Sequence, residues 1–194
     1  DAGFDRDNPR TAGREIPAGR ISIPSAAVFV ILSAALFVIA AAMLNPLCLI
    51  LSIPVLLVLF GYSYTKRFTR WSHLYLGFAI SLAPMGAWIA LTGTFSWGIL
   101  MLSLALMTYI AGFDIIYACQ DVDFDQNRNL FSVPAHYGVH TALRLAAGFH
   151  GLSFCFFAGL YFYFNMGWIY LMTAAVIGGL FVVEALSVII QVLY

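Results

Sequence analysis

Long uncharged apolar runs, separated by short polar interruptions, organise this 194-residue chain. Residues 1 to 25 are polar and broken by Pro9, Pro17 and Pro24. Ala26 to Leu44 follows as nineteen residues without a charge, long enough to span a bilayer. Asn45-Pro46 reads as a turn, and Leu47 to Gly61 supplies a second run. Tyr62 to His73 is charged again. A third run, Leu74 to Leu91, holds Pro84, which predicts a kink. After the neutral turn Thr92 to Ser96, a fourth runs from Trp97 to about Ala118 and leads into an acidic stretch. A fifth covers roughly Thr141 to Phe164. Asn165-Met166-Gly167 turns it into a sixth, from Trp168 to about Leu193. The pattern predicts an all-α, polytopic membrane bundle with six spans.

Composition supports that reading. The chain is 62% hydrophobic and 9% charged, with a mean hydropathy of +0.93, whereas soluble domains carry roughly 25% charged residues. Net charge is zero and there is no basic tail, which argues against nucleic acid as a partner. Cys48, Cys119 and Cys155 are too scattered for a disulfide framework or a zinc site and read as packing residues. The chain opens without methionine, a basic n-region or an apolar signal core, so it is expected to begin inside a longer protein. Every lysine and arginine falls in residues 6–20, 66–70 or 128–144, which are alternate connections. The positive-inside rule places these in the cytoplasm. Trp97, Trp168, Tyr161, Tyr163 and Tyr170, near the opposite ends, suit an interfacial aromatic belt or plain lipid-facing packing.

The charge that remains is unevenly spread. Of nine carboxylates, four (Asp114, Asp121, Asp123 and Asp125) lie within twelve positions. On a continuous helix, Asp121 and Asp125 fall about 20° to either side of Asp114, while Asp123 points away. Like charges sharing one stripe repel unless a cation or proton holds them, so the stripe asks for a metal. Asp1 and Asp5 form a second i,i+4 pair, with Asp7 off that face. They read either as a second half of the site or as solvated acids in a polar terminus. Paired hard oxygen ligands of this kind suit Mg²⁺.

Other polar groups have two readings. Tyr62, Lys66 and Arg70 follow at i+4 steps. They either mark the inside and touch anionic lipid heads or neutralise a diphosphate beside a metal. Arg14 has the same two readings. Asp114 lies about two turns inside an apolar run, where an ionisable group normally faces a polar cavity. With Tyr117 it is placed to orient the hydroxyl of a second substrate. Glu184, in the last span, shows no partner in the sequence and is expected to be protonated or snorkelling. His73, His136, His140 and His150 lack zinc or haem spacing. Asn127, Asn129 and Ser132-Val133-Pro134 look like ordinary loop residues.

D-x-x-Y-A-x-Q-D-x-x-F-D from Asp114, followed by S-V-P-A-x-Y-G, resembles the second aspartate motif of the UbiA-type membrane prenyltransferases. The opening D-A-G-F-D-R-D-N-P-R-T-A-G-R-E-I-P-A-G-R-I-S is similar to the end of that family's N-x-x-x-D-x-x-x-D motif and its loop. Y-S-Y-T-K-R-F-T resembles its Y-x-x-x-K element. The likeness covers nearly the whole chain, as one domain over 1–194, and is nearest to the 4-hydroxybenzoate polyprenyltransferase branch of ubiquinone and menaquinone biosynthesis. It departs in one respect. The family's first motif starts with an asparagine four residues before Asp1 and is preceded by two helices, and the family usually has nine spans.

The resemblance implies a bundle around a central cavity, capped in the cytoplasm by loops 1–25, 62–73 and 121–140. It implies that Asp1, Asp5, Asp121 and Asp125 hold Mg²⁺ against the diphosphate of a polyprenyl donor. Arg14, Lys66 and Tyr62 would bind the diphosphate oxygens, and Asp114 would orient an aromatic acceptor or help its deprotonation. The membrane lipid surrounds the prenyl tail, and a bacterial inner membrane is the expected location. Rival readings are a transferase of the same type acting on a haem, chlorophyllide or naphthoate, a cation-coupled transporter, and a structural membrane subunit. Acids clustered with bases at the membrane surface suit phosphate and metal better than an ion path, which favours isolated charges at the midplane.

Overall fold

The apolar runs become helices in the computed structural model, which describes residues 2–193, with side chains through 184 and at 186 and 187. The helices are α1 (Ala2–Asp7), α2 (Ile23–Leu44), α3 (Pro46–Thr65), α4 (Ser72–Thr92), α5 (Trp97–Ala118), α6 (Val122–Asn127), α7 (Val133–Tyr137), α8 (Val139–Tyr163) and α9 (Trp168–Leu193). No strand occurs among the described residues. The helices α2, α3, α4, α5 (with its continuation to Asn127) and α8 are long and apolar enough to cross a membrane, and α9 is apolar over Trp168–Glu184. This is an integral membrane protein of all-α class. The helix α2 starts earlier than its apolar run because Ser22 caps it, accepting the Ser25 N–H at 3.2 Å, and Pro24 sits in the first turn. At the other end of a span, Gly93 (φ 67°) closes α4 by donating its N–H to the Ile89 carbonyl.

Two compact units make up the chain, residues 1–63 and 64–194. In the first, α1 leads through a run of tight turns into α2 and α3. Thr11, almost wholly buried, donates its hydroxyl to the Asp5 carbonyl at 2.9 Å and fastens the opening turn. Large apolar side chains of α2 and α3, such as Phe29, Leu36, Ile50 and Leu57, are exposed.

In the second unit α4 packs on α5, α5 on α8, and α8 on α9, with the short α7 against α8. Lipid tails are as apolar as leucine, so helices in a bilayer associate by close packing and polar pairs rather than by escape from water. Small residues form these seams: Ala105, Ala111, Ala142 and Ala146 are fully buried. At Gly77 a Cβ would collide with the Met107 carbonyl of α5, so glycine sets the α4–α5 spacing. Ile115, Val133, Ala142 and Ala146 form the buried cluster where α5, α7 and α8 meet.

Glu184 has a partner, contrary to the expectation of an isolated acid. Both its oxygens lie 2.7 Å from His150 Nδ1, on α8. His150 Nε2 donates to the Tyr109 carbonyl of α5 at 3.2 Å, so the proton between Nδ1 and the carboxylate is shared by the pair. The ring packs against both Tyr109 and Phe181, centroids 5.4 and 5.1 Å away. Gly112 makes the space, since a Cβ there would fall 2.6 Å from the imidazole. A local pattern could not show a pairing across 34 positions. We expect Glu184→Ala to cost about 1–2 kcal/mol and to lower the thermal unfolding midpoint in detergent. Glu184→Gln, whose amide N–H can donate to Nδ1, should recover most of the loss. Equal midpoints for Glu184→Ala and wild type would contradict the structural role.

Candidate active site

The regular winding of α5 stops at Ala118. Cys119–Asp121 follows as a 3₁₀ turn before α6 begins. Tighter winding changes the angular phase, so the single stripe expected for Asp114, Asp121 and Asp125 is broken at Cys119. One turn of it survives. Asp121 and Asp125 are buried, 7% and 2% exposed, while Asp123 faces outward as its phase predicts. Burial of two carboxylates in the loop at a helix end is costly without cations or donors nearby.

Lys66 supplies one cation, its Nζ 3.5 Å from Asp125 Oδ2. The helix α3 ends at Thr65, where the N–H groups of Phe68 and Thr69 both turn back to the Thr65 carbonyl. The i+4 stripe of Tyr62, Lys66 and Arg70 therefore does not continue as one helical face. Tyr62 stays half-buried in α3, in the first unit. Lys66 turns to Asp125, and its carbonyl accepts the Phe131 N–H at 2.8 Å. Arg70 goes to α7: it donates to His136 Nε2 at 2.7 Å and lies 5.1 Å from the Tyr137 ring centroid. Asp125, Gln126, Asn129, Leu130, Phe131, Ala135 and His136 surround a concave pocket of about 240 Å³.

Asp114, 18% exposed, is held by His73, which is completely buried at the start of α4. His73 Nδ1 lies 2.7 Å from Asp114 Oδ2, and its Nε2 accepts the Val133 N–H at 3.3 Å. One ring thus joins the beginnings of α4 and α7 to the last turns of α5. Tyr117, the expected companion of Asp114, is 40% exposed and stacks on Phe113 with centroids 6.4 Å apart. Ser132 is no ordinary loop residue. Fully buried, it caps α7 by accepting the Ala135 N–H at 3.3 Å, with Pro134 in the first turn. The serine-x-proline pattern carried that signal. For His73 the one signal was the need of a buried aspartate for a partner.

In the first unit Asp5 meets Arg14, Nη1 to Oδ1 3.3 Å, with Arg14 55% exposed. Asp1, the other expected ligand of that half, lies outside the described residues. Among the described residues no three His, Cys, Asp or Glu side chains cluster as a metal cage. Mg²⁺ does not need one: it takes one or two carboxylates and fills its octahedron with water and substrate phosphate. Two buried carboxylates four residues apart, Asp121 and Asp125, the second paired with a lysine and lining an open pocket, fit that preference.

Comparison with known proteins places the chain in a family. The model of the UbiA prenyltransferase family matches residues 1–191. The chain is 33% identical over 139 residues to a UbiA prenyltransferase of Ampulloclitocybe clavipes, covering 71% of this chain and 44% of the relative. It is 32% identical over 131 residues to a mitochondrial 4-hydroxybenzoate polyprenyltransferase of Arabidopsis thaliana, covering 67% of this chain and 32% of the relative. A 4-hydroxybenzoate octaprenyltransferase of Vibrio parahaemolyticus is 28% identical over 175 residues, 90% of this chain and 61% of the relative. The chain thus spans less than two-thirds of the length of each of these three. Among solved structures, an apo UbiA homolog from Aeropyrum pernix K1 superposes with a TM-score of 0.84 at 31% identity, over 98% of this chain and 70% of that one.

The Lys66–Asp125 pair has a testable weight. Lys66→Met leaves a buried carboxylate without this cation, and because the lysine is 34% exposed the loss should be about 1–2 kcal/mol rather than that of a fully buried pair. Thermal unfolding in detergent should show a lowered midpoint for Lys66→Met and a smaller change for Lys66→Arg. An unchanged midpoint for Lys66→Met would mean that the pair contributes nothing to the fold.

Proposed function

The chain belongs to the UbiA prenyltransferase family, and on that premise we propose that it transfers a polyprenyl group from its diphosphate to an aromatic acceptor, in a Mg²⁺-dependent step of quinone biosynthesis. The observation that carries the reading is the buried pair Asp121 and Asp125 with Lys66, at the same helix ends as the His73-held Asp114. Acids and a base gathered at one end of membrane helices suit a charged diphosphate whose tail lies in lipid. The 4-hydroxybenzoate acceptor is the one named for the Arabidopsis and Vibrio relatives.

In this reading Asp121 and Asp125 hold the cation. The family resemblance adds Asp5 and Asp1 as ligands, with Arg14 and Tyr62 as diphosphate donors. When bound, Mg²⁺ supplies positive charge that stabilises the departing diphosphate. Lys66 leaves Asp125 to donate to a diphosphate oxygen, which lowers the cost of breaking the allylic C–O bond. The C–O electron pair goes to the diphosphate and an allylic cation remains among apolar helices in a central cavity. The acceptor ring attacks it through carbon, forms the new C–C bond, and loses the displaced ring proton. Asp114 accepts a hydrogen bond from the acceptor hydroxyl and fixes the ring's orientation. The charged loops face the cytoplasm, and a bacterial inner membrane is the proposed location.

A radiolabelled polyprenyl diphosphate with 4-hydroxybenzoate tests this directly in detergent, with and without Mg²⁺. Product should need the metal, and Asp121→Ala should lower the rate by about a hundredfold or more. Asp114→Asn should still cleave the donor while transferring less. A well-folded sample that neither cleaves nor transfers would overturn the proposal.

A further inference from the structure

Asp114 is placed by a ring whose proton position is fixed by its surroundings. Val133 N–H can only donate, so His73 Nε2 carries no hydrogen. The ring's single proton therefore sits on Nδ1 and is donated to Asp114 Oδ2 at 2.7 Å. An imidazolium would set N–H against N–H at Val133. Rotating the ring by half a turn would put carbon atoms at both bonding positions and lose both bonds. The side chain is 0% exposed, so water offers no substitute partner. The donor at Val133 exists for a reason in the chain: it belongs to the first turn of α7, where N–H groups have no helical acceptor. Its neighbour Pro134 has no N–H, and Ala135 N–H goes to Ser132. Each early donor of α7 is thereby assigned, and His73 is the acceptor for one.

We propose that His73 is a positioning residue for the acceptor, acting through Asp114. It holds the carboxylate by Oδ2 in one orientation, so that Oδ1 meets the hydroxyl of a phenolic acceptor. The inference rests on Asp114 being the group that orients the acceptor. It adds a division of labour on one ring: Nε2 fastens α7, and Nδ1 aims the carboxylate. An N–H donor of this type makes a carboxylate a fixed acceptor in the way outer partners orient metal ligands and catalytic bases.

The two functions separate by substitution, because asparagine can place a donor near the Nδ1 position and glutamine an acceptor near Nε2. His73→Asn keeps the bond to Asp114 and abandons Val133. It should unfold at a lower temperature while its kcat/KM for the acceptor stays within about threefold of wild type. His73→Gln keeps the bond from Val133 and abandons Asp114. It too should unfold at a lower temperature, but its kcat/KM for the acceptor falls about ten- to a hundredfold and its KM for the prenyl diphosphate stays unchanged. Loss of activity in proportion to loss of stability in both variants, or full acceptor kcat/KM in His73→Gln, would overturn the inference. An independent readout comes from nitrogen NMR of the intact, histidine-labelled protein at neutral pH. The expected signature is the neutral Nδ1–H tautomer for His73, perturbed in Asp114→Asn; an Nε2–H tautomer would overturn the proposal whatever the activity. A wild type with no transfer overturns the functional reading, whereas an active wild type with a fully active His73→Gln overturns this inference alone.

Discussion

A polar group inside an apolar helical protein has no water to fall back on, so most find a partner within the chain. His73 is where that constraint gathers most structure. Its ring answers a part-buried aspartate on α5 and an early N–H of α7 at once. Close by, the Phe131 N–H bonds to the Lys66 carbonyl and Arg70 donates to His136. The segment entering α4 and the segment between α6 and α8 are thus stitched together at three points. The polar chemistry of the second unit stands on that seam. The His150–Glu184 pair meets the same constraint at the α5–α8–α9 contact, away from the proposed chemistry.

Two acid–base pairs are already matched before any substrate arrives, one within each unit. Lys66 lies on Asp125, and within the first unit Arg14 lies on Asp5. Such pairs keep the fold from carrying uncompensated charge near lipid. Their distances of 3.5 and 3.3 Å are long for charge-assisted bonds, so exchanging partners is inexpensive. A cation for the acids and a phosphate for the bases would satisfy both sides again. In this account the protein's charges change partners on binding rather than being created by it.

The six long helices were legible because each is a run of apolar residues bounded by a cap, a glycine or a charged turn, whereas the short α6 and α7 fall in a stretch read as loop. The start of α2 was misplaced by three residues because Ser22 and Pro24 outweigh apolarity at a helix start. The acidic cluster was legible from its crowding and its neighbours, and the outward phase of Asp123 was correct. What failed was extrapolation of one helical phase through Cys119, where the winding tightens over three residues. The Tyr62–Arg70 stripe failed for the same reason at Thr65. The partners of Asp114 and Glu184 lie 41 and 34 positions away. Local spacing carries no trace of such pairs, although the presence of an acid in a span announces that a partner must exist.

The most direct test of the partner-exchange account is an experimental structure with Mg²⁺ and an unreactive prenyl diphosphate analogue. The expected result is a cation on Asp121 and Asp125, with Lys66 Nζ moved from Asp125 to a phosphate oxygen and the His73–Asp114 bond retained. A diphosphate bound elsewhere, with Lys66 still on Asp125, would contradict it.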